Sequence, residues 1–337
     1  MTLIPPTAKS NVKIVFGAMT FGAEGQEQAR TTSLDDCRAI LDCFQAHGHC
    51  EIDTARFYGG GTSEEYLGKL KWYERGLVMD TKLYPTAGKN MGEPISHSPQ
   101  DLRKHLLISL KALDSKQIDM WYLHAPDRTT DYEVTMEEVD KLHKEGYFKR
   151  FGLSNYMAWE VAQICEICKR RGFIMPTAYQ GIYNAIHRQV EPELFPCLRK
   201  YGLSFYAFNP LAGGFFSGKF KREGEVEAGS RFDPNKWQGK MYRVRYWNDA
   251  YFSALDIVKP VADKHGLTMI EVACRWMTHH SMLKKEYGDA ILIGASSLKQ
   301  MQENMKDLEK GPLPQEVVDA LDQAWLRVKG HATNYFH

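Results

Sequence analysis

The strongest constraint on this chain is a repeated pattern rather than a repeated sequence. Short, nearly continuous apolar runs alternate eight times with longer amphipathic stretches. The runs are VKIVFGAMT (12–20), CEIDTA (50–55), GLVMDTK (76–82), IDMWYLH (118–124), FKRFGLS (148–154), TAYQGIYN (177–184), LSFYAFNPL (203–211) and AILIGAS (290–296). Helix-patterned stretches follow them: 33–47, one opening at Ser63-Glu64, 101–113, 135–146, 158–170, 193–202, 256–266 and 298–309. Continuous apolar runs fit parallel strands covered on both faces. Strand–helix units that repeat without reversing direction close into a (β/α)8 TIM barrel. The competing arrangement is an open doubly wound sheet. Eight units, and no G-x-G-x-x-G after the first run, favour the barrel.

The chain has 337 residues and no Pro/Ser-rich linker, so residues 1–337 are expected to form one α/β domain. One segment breaks the rhythm: about 212–248, rich in Gly, Arg, Tyr and Trp. A long loop in a barrel tends to be functional, and this one is expected over the barrel mouth.

Composition narrows the classes. Lys and Arg number 43 against 42 Asp and Glu, a net charge of +1. That balance gives no support to a nucleic-acid or anionic-membrane partner. No stretch approaches the roughly 20 apolar residues of a membrane span. The start, MTLIPPTAKSNVKIVFG, lacks a basic-then-apolar order, and Pro5-Pro6 interrupts it, so no signal peptide is expected. Seven scattered cysteines read as reduced thiols of a cytoplasmic protein. Cys165 and Cys168 form C-x-x-C inside a helix-patterned stretch, without a second pair at metal-ligand spacing, so they read as structural. No metal site is expected.

Barrel enzymes carry their reactive groups at the C-terminal ends of strands. There the apolar runs give way to Asp53, Lys82 and His124, and Tyr58 follows Asp53 by five residues in a turn-rich loop. A tyrosine ordinarily titrates near 10, and a neighbouring ammonium favours its phenolate. Lys82 can be that cation, Asp53 can hold it, and His124 can orient a carbonyl oxygen beside the phenol. Any one of these residues alone reads more simply as a loop hydrogen bond or an ion pair. The four together read as a proton-donor site for carbonyl reduction.

At these residues a resemblance becomes specific. EIDTARFYGGGTSEEYLG, with its spacing to Thr81-Lys82 and Leu123-His124, resembles the aldo-keto reductase signature. The likeness continues through FGLSNY (151–156), AYQGIYN (178–184), FNPLAGG (208–214) and GASSLKQMQEN (294–304), so it spans essentially the whole chain. YNAIHRQVEPELFPCLRKYGL, FYAFNPLAGGFFSGK and WMTHHS are most similar to the aflatoxin-aldehyde reductase branch, whose members reduce aldehydes, dialdehydes and succinic semialdehyde with NADPH. The resemblance implies the catalytic tetrad Asp53, Tyr58, Lys82 and His124, and NADPH extended across the barrel mouth. Ser154, Asn155 and Gln180, read as following strands five and six, suit the nicotinamide carboxamide. Phe208 stands where the family stacks an aromatic ring on nicotinamide, although on pattern alone it also reads as a core aromatic.

Asn209, Pro210, Leu211, Ala212, Gly213, Gly214 and Lys219 resemble the family's pyrophosphate loop, and the two glycines permit close backbone approach. Its GGFFSGK also satisfies G-x-x-x-x-G-K, but Phe220 stands where a P-loop needs Ser or Thr. Ser296 and Ser297 open the last helix of the repeat, a place that favours phosphate, with Glu303 and Asn304 expected at adenine. Gly294 and Gln300 stand where many relatives carry Lys and Arg, so grip on the 2′-phosphate is expected to shift to Lys219, Arg231 or Lys299. In WQGKMYRVRYW (237–247), Tyr242 and Arg245 are expected to face the substrate, with the guanidinium fork suited to a carboxylate. His124 is expected to touch substrate as well. The segment HATNYFH is expected to reach the mouth, where His337 would make the local charge pH-dependent.

Similar proteins are often dimers, which makes a homodimer an expectation. Two other readings remain at this point. One is an NADPH-binding regulatory subunit like the potassium-channel β subunits, which share the fold and a similar tetrad. The other is a barrel hydrolase or metal enzyme, for which the strand ends lack a carboxylate/histidine ligand set.

Overall fold

The computed structural model describes residues 7–89, 91–227 and 229–337; the Pro5-Pro6 interruption lies outside them. Eight parallel strands close into a barrel in chain order: β1 (Lys13–Gly17), β2 (Glu51–Asp53), β3 (Val78–Leu83), β4 (Ile118–Leu123), β5 (Phe148–Ser154), β6 (Pro176–Ile182), β7 (Ser204–Phe208) and β8 (Ala290–Ile293). β1 pairs with β8, Lys13 opposite Ala290, to seal it. The fold is the (β/α)8 barrel anticipated above, with no open edge to cover.

Helices α1 (Leu34–Ala46), α2 (Thr62–Lys69), α3 (Pro99–Ala112), α4 (Tyr132–Lys144), α5 (Ala158–Arg171) and α6 (Leu194–Tyr201) follow the first six strands. Several starts are fixed by short polar side chains. Ser33 accepts from the Asp36 N–H, Ser98 from that of Asp101, and Asp131 from that of Glu133. The segment at about 212–248 that breaks the strand–helix rhythm holds a 3₁₀ turn, Ala212–Ser217, and helix α7 (Trp237–Tyr246). α8 (Asp249–Lys264) starts earlier than the pattern suggested because the Asn248 side chain caps it, accepting from the Tyr251 N–H. α9 (Met269–His279) and α11 (Gln315–Val328) lie outside the eightfold repeat, and α11 packs on α8. α10 (Leu298–Leu308) follows β8. None of the described helices is long and apolar enough to cross a membrane.

The period of two sorts every strand into two shells. Phe16, Ile52, Trp121, Leu123, Phe151, Tyr179, Ile291 and Ile293 point outward into the layer between strands and helices. Val15, Met120, Tyr122, Ala178, Tyr206, Ala290 and Leu292 fill the barrel. Gly152 makes room for one of them: a Cβ there would meet the Tyr122 ring at 2.3 Å. The inner shell is not uniformly apolar, as the runs had suggested. Glu51, Asp53, Asp80, Lys82 and Gln180 are all buried in it or at its mouth. Short strands hide the polar alternation inside runs that look continuous.

Candidate active site

Asp53 ends β2, Lys82 is the penultimate residue of β3, and His124 follows β4. The register sets Asp53 beside Asp80, two residues before Lys82, and sets Lys82 beside Tyr122, two before His124. The side chains therefore step around one rim. Tyr58 reaches the same rim from the β2–α2 loop, in a turn where Gly59, Gly60 and Gly61 take φ of 57°, 62° and 97°. Three successive left-handed residues suit only glycine.

Arg56 clamps this turn. Its guanidinium donates to Glu64 Oε2 at 2.6 Å, and the Thr81 hydroxyl donates to Glu64 Oε1 at 2.6 Å. Glu64 is fully buried, and a Cβ at Gly61 would sit 1.0 Å from Arg56 Nη2. The turn that carries Tyr58 is thus tied to the strand that carries Lys82.

Lys82 Nζ donates to Asp53 Oδ2 at 2.6 Å and to the Thr54 carbonyl at 2.6 Å, and lies 3.5 Å from the Tyr58 hydroxyl. Gln180 Nε2 donates to Asp53 Oδ1 at 2.7 Å. Burial opposes the Lys82 charge, but Asp53 and the phenol outweigh it and raise its pKa. Burial also pushes the Asp53 carboxyl up, against the pull of Lys82 and Gln180. With two N–H donors within 2.7 Å, we read the pair as ammonium and carboxylate.

For Tyr58 the balance differs from the expectation drawn from Lys82 alone. Burial raises the phenol more than Lys82 lowers it, so the hydroxyl keeps its proton. Burial, then Lys82, depress His124 well below the usual histidine range, which leaves a neutral imidazole. Its Nδ1 is buried without a partner, and its ring meets those of Tyr58 and Tyr84 edge-on.

These groups open into a cavity of 410 Å³. Of the other anticipated residues, Asn155, Gln180, Phe208, Asn209, Pro210, Leu211, Gly213, Arg231, Tyr242, Arg245, Gly294 and His337 also line it. Gln180 lies inside β6, not after it, because the ladder with β7 runs on to Ile182 opposite Phe208. Ser154 is fully buried, where its hydroxyl accepts from Asn155 Nδ2. Lys219 is exposed. Ser296, Ser297, Gln300, Glu303, Asn304, Ala212 and Gly214 are not among the residues lining the cavity. Ser297 instead caps α10, accepting from the Gln300 N–H, and Gln300 Oε1 accepts from the Ser296 N–H and hydroxyl. Lys299 faces Glu303 at 3.9 Å.

Arg245 is buried, lines the cavity and faces no carboxylate within 4.0 Å among the described residues. The His337 N–H donates to the Asn155 carbonyl. Burial, then Arg245, lower the His337 imidazole to about 4, so it is neutral where a switchable charge was expected. Tyr84 and Gln238 also line the cavity, and Arg30 donates to Gln238, none of them marked by a local sequence signal. Arg30 and Gln238 gain importance only through a β1–α1 loop to α7 contact that carries no local pattern.

The Cys165 and Cys168 thiols are buried on α5 and pushed up to about 12, the condition of inert structural thiols. Among the described residues no group of three His, Cys, Asp or Glu is arranged to hold a metal ion.

The donor set suits a nicotinamide dinucleotide. Asn155, Gln180 and the half-buried Phe208 surround one end of the cavity, and Asn209 Nδ2 is buried there without a partner. Comparison with known proteins agrees. Residues 13–326 match the model of the aldo/keto reductase family. An aldo-keto reductase of Pseudocercospora fijiensis is 52% identical over 88% of this chain and all of its own length. The aldo-keto reductase pigE of Monascus ruber is 46% identical over 98% of each chain. Human aflatoxin B1 aldehyde reductase member 2 is 44% identical over 92% of this chain and 87% of its own. A buried lysine bridging aspartate and tyrosine at the mouth of an eight-stranded barrel, together with these similarities, makes the chain a member of the aldo/keto reductase family, an oxidoreductase that acts on small carbonyl compounds.

Proposed function

We propose that the protein reduces aldehydes, and ketones of similar size, to alcohols with NADPH, and that Tyr58 donates the proton. The observation that carries this reading is the Lys82 ammonium, buried between Asp53 and the Tyr58 phenol beside neutral His124. When bound, reduced nicotinamide supplies a hydride to the carbonyl carbon. The Tyr58 O–H points its proton at the carbonyl oxygen, and Lys82 stabilises the phenolate left behind. Asp53 keeps Lys82 charged and in place. His124, being neutral, orients the carbonyl without competing as an acid. Asn155 and Gln180 would hold the carboxamide with Ser154 behind them, and Phe208 the ring face. Asn209 to Gly214 and Lys219 would cradle the diphosphate. Ser296, Ser297, Gln300, Glu303 and Asn304 would take the adenosine end.

Tyr58→Phe is the decisive test. NADPH oxidation with an aldehyde panel should fall about 10³-fold, the scale of a lost general acid, while NADPH still quenches intrinsic fluorescence. Normal turnover by this variant would reject the mechanism. Tight NADPH binding without turnover of any aldehyde by the unmodified protein would favour a regulatory role.

The substrate class follows from Arg245, a buried guanidinium without a carboxylate partner in the cavity wall. An acidic or dicarbonyl aldehyde, such as succinic semialdehyde or the aflatoxin dialdehyde, would complete it, with Tyr242 alongside. Arg245→Met should raise KM for succinic semialdehyde about tenfold and leave that for an uncharged aldehyde unchanged. Equal KM changes for both would remove the carboxylate role.

A further inference from the structure

We infer that a second cavity, behind the Phe57–Tyr84 wall of the catalytic one, takes the distal apolar part of the substrate, so that the enzyme selects aldehydes with an extended hydrocarbon body. This substrate choice rests on the carbonyl-reduction reading above.

The second cavity has a volume of 480 Å³ and lies between the β1–α1 loop, the Tyr58 turn, the β3–α3 loop and α3. It adjoins the first. Gln28, Phe57 and Tyr84 line both. The Phe57 ring meets Tyr84 at 5.6 Å and Trp237 at 5.9 Å, and Tyr84 meets His124 edge-on at 5.4 Å. A row of rings therefore runs from the carbonyl-orienting imidazole to the lip of the second cavity. A hydrocarbon chain leaving a carbonyl at Tyr58 and His124 can follow those rings.

The join between the cavities is not closed by the protein's own contacts. Gln28 is held in the left-handed region, at φ 77°, a costly conformation for a residue with a side chain. Its Oε1 is buried without a donor among the described residues. A wall sealing one space from the other would hydrogen-bond across this point.

Beyond the lip, the polar side chains are already engaged. Arg56 donates to Glu64 at 2.6 Å, Glu93 accepts from Lys104 Nζ at 2.9 Å, and Glu27 accepts from the Gln238 N–H at 3.2 Å. Burial holds the His105 imidazole below its usual range. What remains to meet a ligand is Leu83, Met91, Ile95 and Ile108. Ile108 is 39% exposed, and it shares its wall with three other apolar side chains, which sets it apart from a lone surface isoleucine.

The outer wall is preformed. The Thr86 hydroxyl donates to the Glu93 carbonyl at 2.6 Å and accepts from the Ile95 N–H at 2.8 Å, while the Thr86 N–H donates to the Ile95 carbonyl at 2.8 Å. Lys89 Nζ donates to the Tyr84 hydroxyl at 3.1 Å and to the Pro85 carbonyl at 3.0 Å. A loop tied at both ends holds the space open, so binding requires little further ordering. Continuity decides the occupant. A separate ligand would need polar groups in the wall to orient it, whereas the tail of a substrate is already anchored at its carbonyl. Arg245 lines only the first cavity, so a carboxylate at Arg245 and a hydrocarbon body behind Phe57 are separable features.

The test is kcat/KM for butanal, hexanal, octanal and decanal at saturating NADPH. Ile108→Trp fills the second cavity and Ile108→Asp charges its wall; Ile108 does not line the first. In the unmodified protein kcat/KM should rise about 60-fold from butanal to decanal, with about three methylenes reaching the apolar wall at about fourfold each. Both variants should lower the decanal value about tenfold, chiefly through KM, and leave butanal unchanged. Ile108→Val should keep the preference for decanal. A flat series in the unmodified protein would overturn the proposal. So would equal losses for butanal and decanal, or decanal values that neither variant changes. Decanamide should inhibit decanal reduction competitively; noncompetitive inhibition would mark a separate effector site and overturn the substrate role. Absence of turnover with butanal would instead overturn the carbonyl-reduction reading, and with it the substrate proposed here.

Discussion

The two ends of the barrel interior hold similar residues and differ in what is left over. At the N-terminal end, Lys13 Nζ meets Glu51 Oε2 at 2.5 Å and the Tyr206 hydroxyl at 2.6 Å. Arg150 Nε donates to Asp119 at 2.7 Å, Arg150 Nη2 reaches Glu51 at 3.3 Å, and the Tyr206 hydroxyl donates to Glu51 at 2.9 Å. Burial opposes the Glu51 charge, yet Lys13 and Arg150 outweigh it and hold the carboxyl below its usual range. Asp80 sits at this end too, its carboxyl pushed up by burial and by Glu51, and both of its oxygens are buried without a hydrogen-bond partner. At the mouth, two residues farther along the same strands, Asp53 and Lys82 answer each other, while His124 Nδ1, Asn209 Nδ2 and Arg231 Nε in the cavity wall are buried without protein partners. A buried charge is therefore not by itself the mark of a reactive site. On the floor Lys13, Arg150, Glu51 and Tyr206 answer one another, with Asp80 left over in a closed interior; at the mouth the unpartnered groups line a cavity that a ligand can enter.

This contrast can be broken at either end. The largest separation should come from pairing Tyr58→Phe with Arg150→Met. The first should cost about 10³-fold in kcat and leave the denaturation midpoint nearly unchanged. The second removes one partner of a buried network and should cost about 3 kcal/mol of stability, with kcat preserved in the folded fraction. Equal effects of both on kcat would show that the floor and the mouth act as one unit.

Gly152→Ala probes the layer between them. Its new methyl would press on the Tyr122 ring at 2.3 Å, and overpacking of this kind costs about 1–3 kcal/mol. Urea titration measures it, and Tyr122→Phe should not relieve it, because the clash is with the ring and not the hydroxyl.

A smaller effect concerns acid. Burial holds His49 and His97 at about 4 and His187 at about 3, below their value in an unfolded chain. As pH falls below about 6.5 the unfolded chain takes up protons that the folded one refuses, so stability falls with pH. Each should cost about 1–2 kcal/mol between pH 7 and pH 5, read as a lower urea midpoint. His97→Gln should flatten that slope, and an unchanged slope would remove His97 from the account.

What the sequence made legible follows the same division. Apolar runs ending in Asp53, Lys82 and His124 announced both the strands and the rim, because strand ends are local features. The alternation inside short strands did not, so Glu51 and Asp80 passed as parts of apolar runs. Helix α7 was hidden because Gly239, inside it, packs so close that a Cβ would meet the Asp233 carbonyl at 1.8 Å. That contact within the segment, and not helical periodicity, settles its shape. Arg30 was invisible for a related reason: its neighbours Gln238 and Arg231 are some two hundred positions away.

The clamp on the Tyr58 turn has a consequence for how such a chain can change. Arg56 occupies the space in which any side chain at position 61 would begin, and Gly61 is the vacancy that lets Arg56 reach Glu64. Neither position is free to drift alone. Loss of the arginine would empty that space, yet the φ of 97° would still hold position 61 to glycine. Position 61 is thus held twice, by its own backbone and by its neighbour, in any sequence that carries a tyrosine in this place.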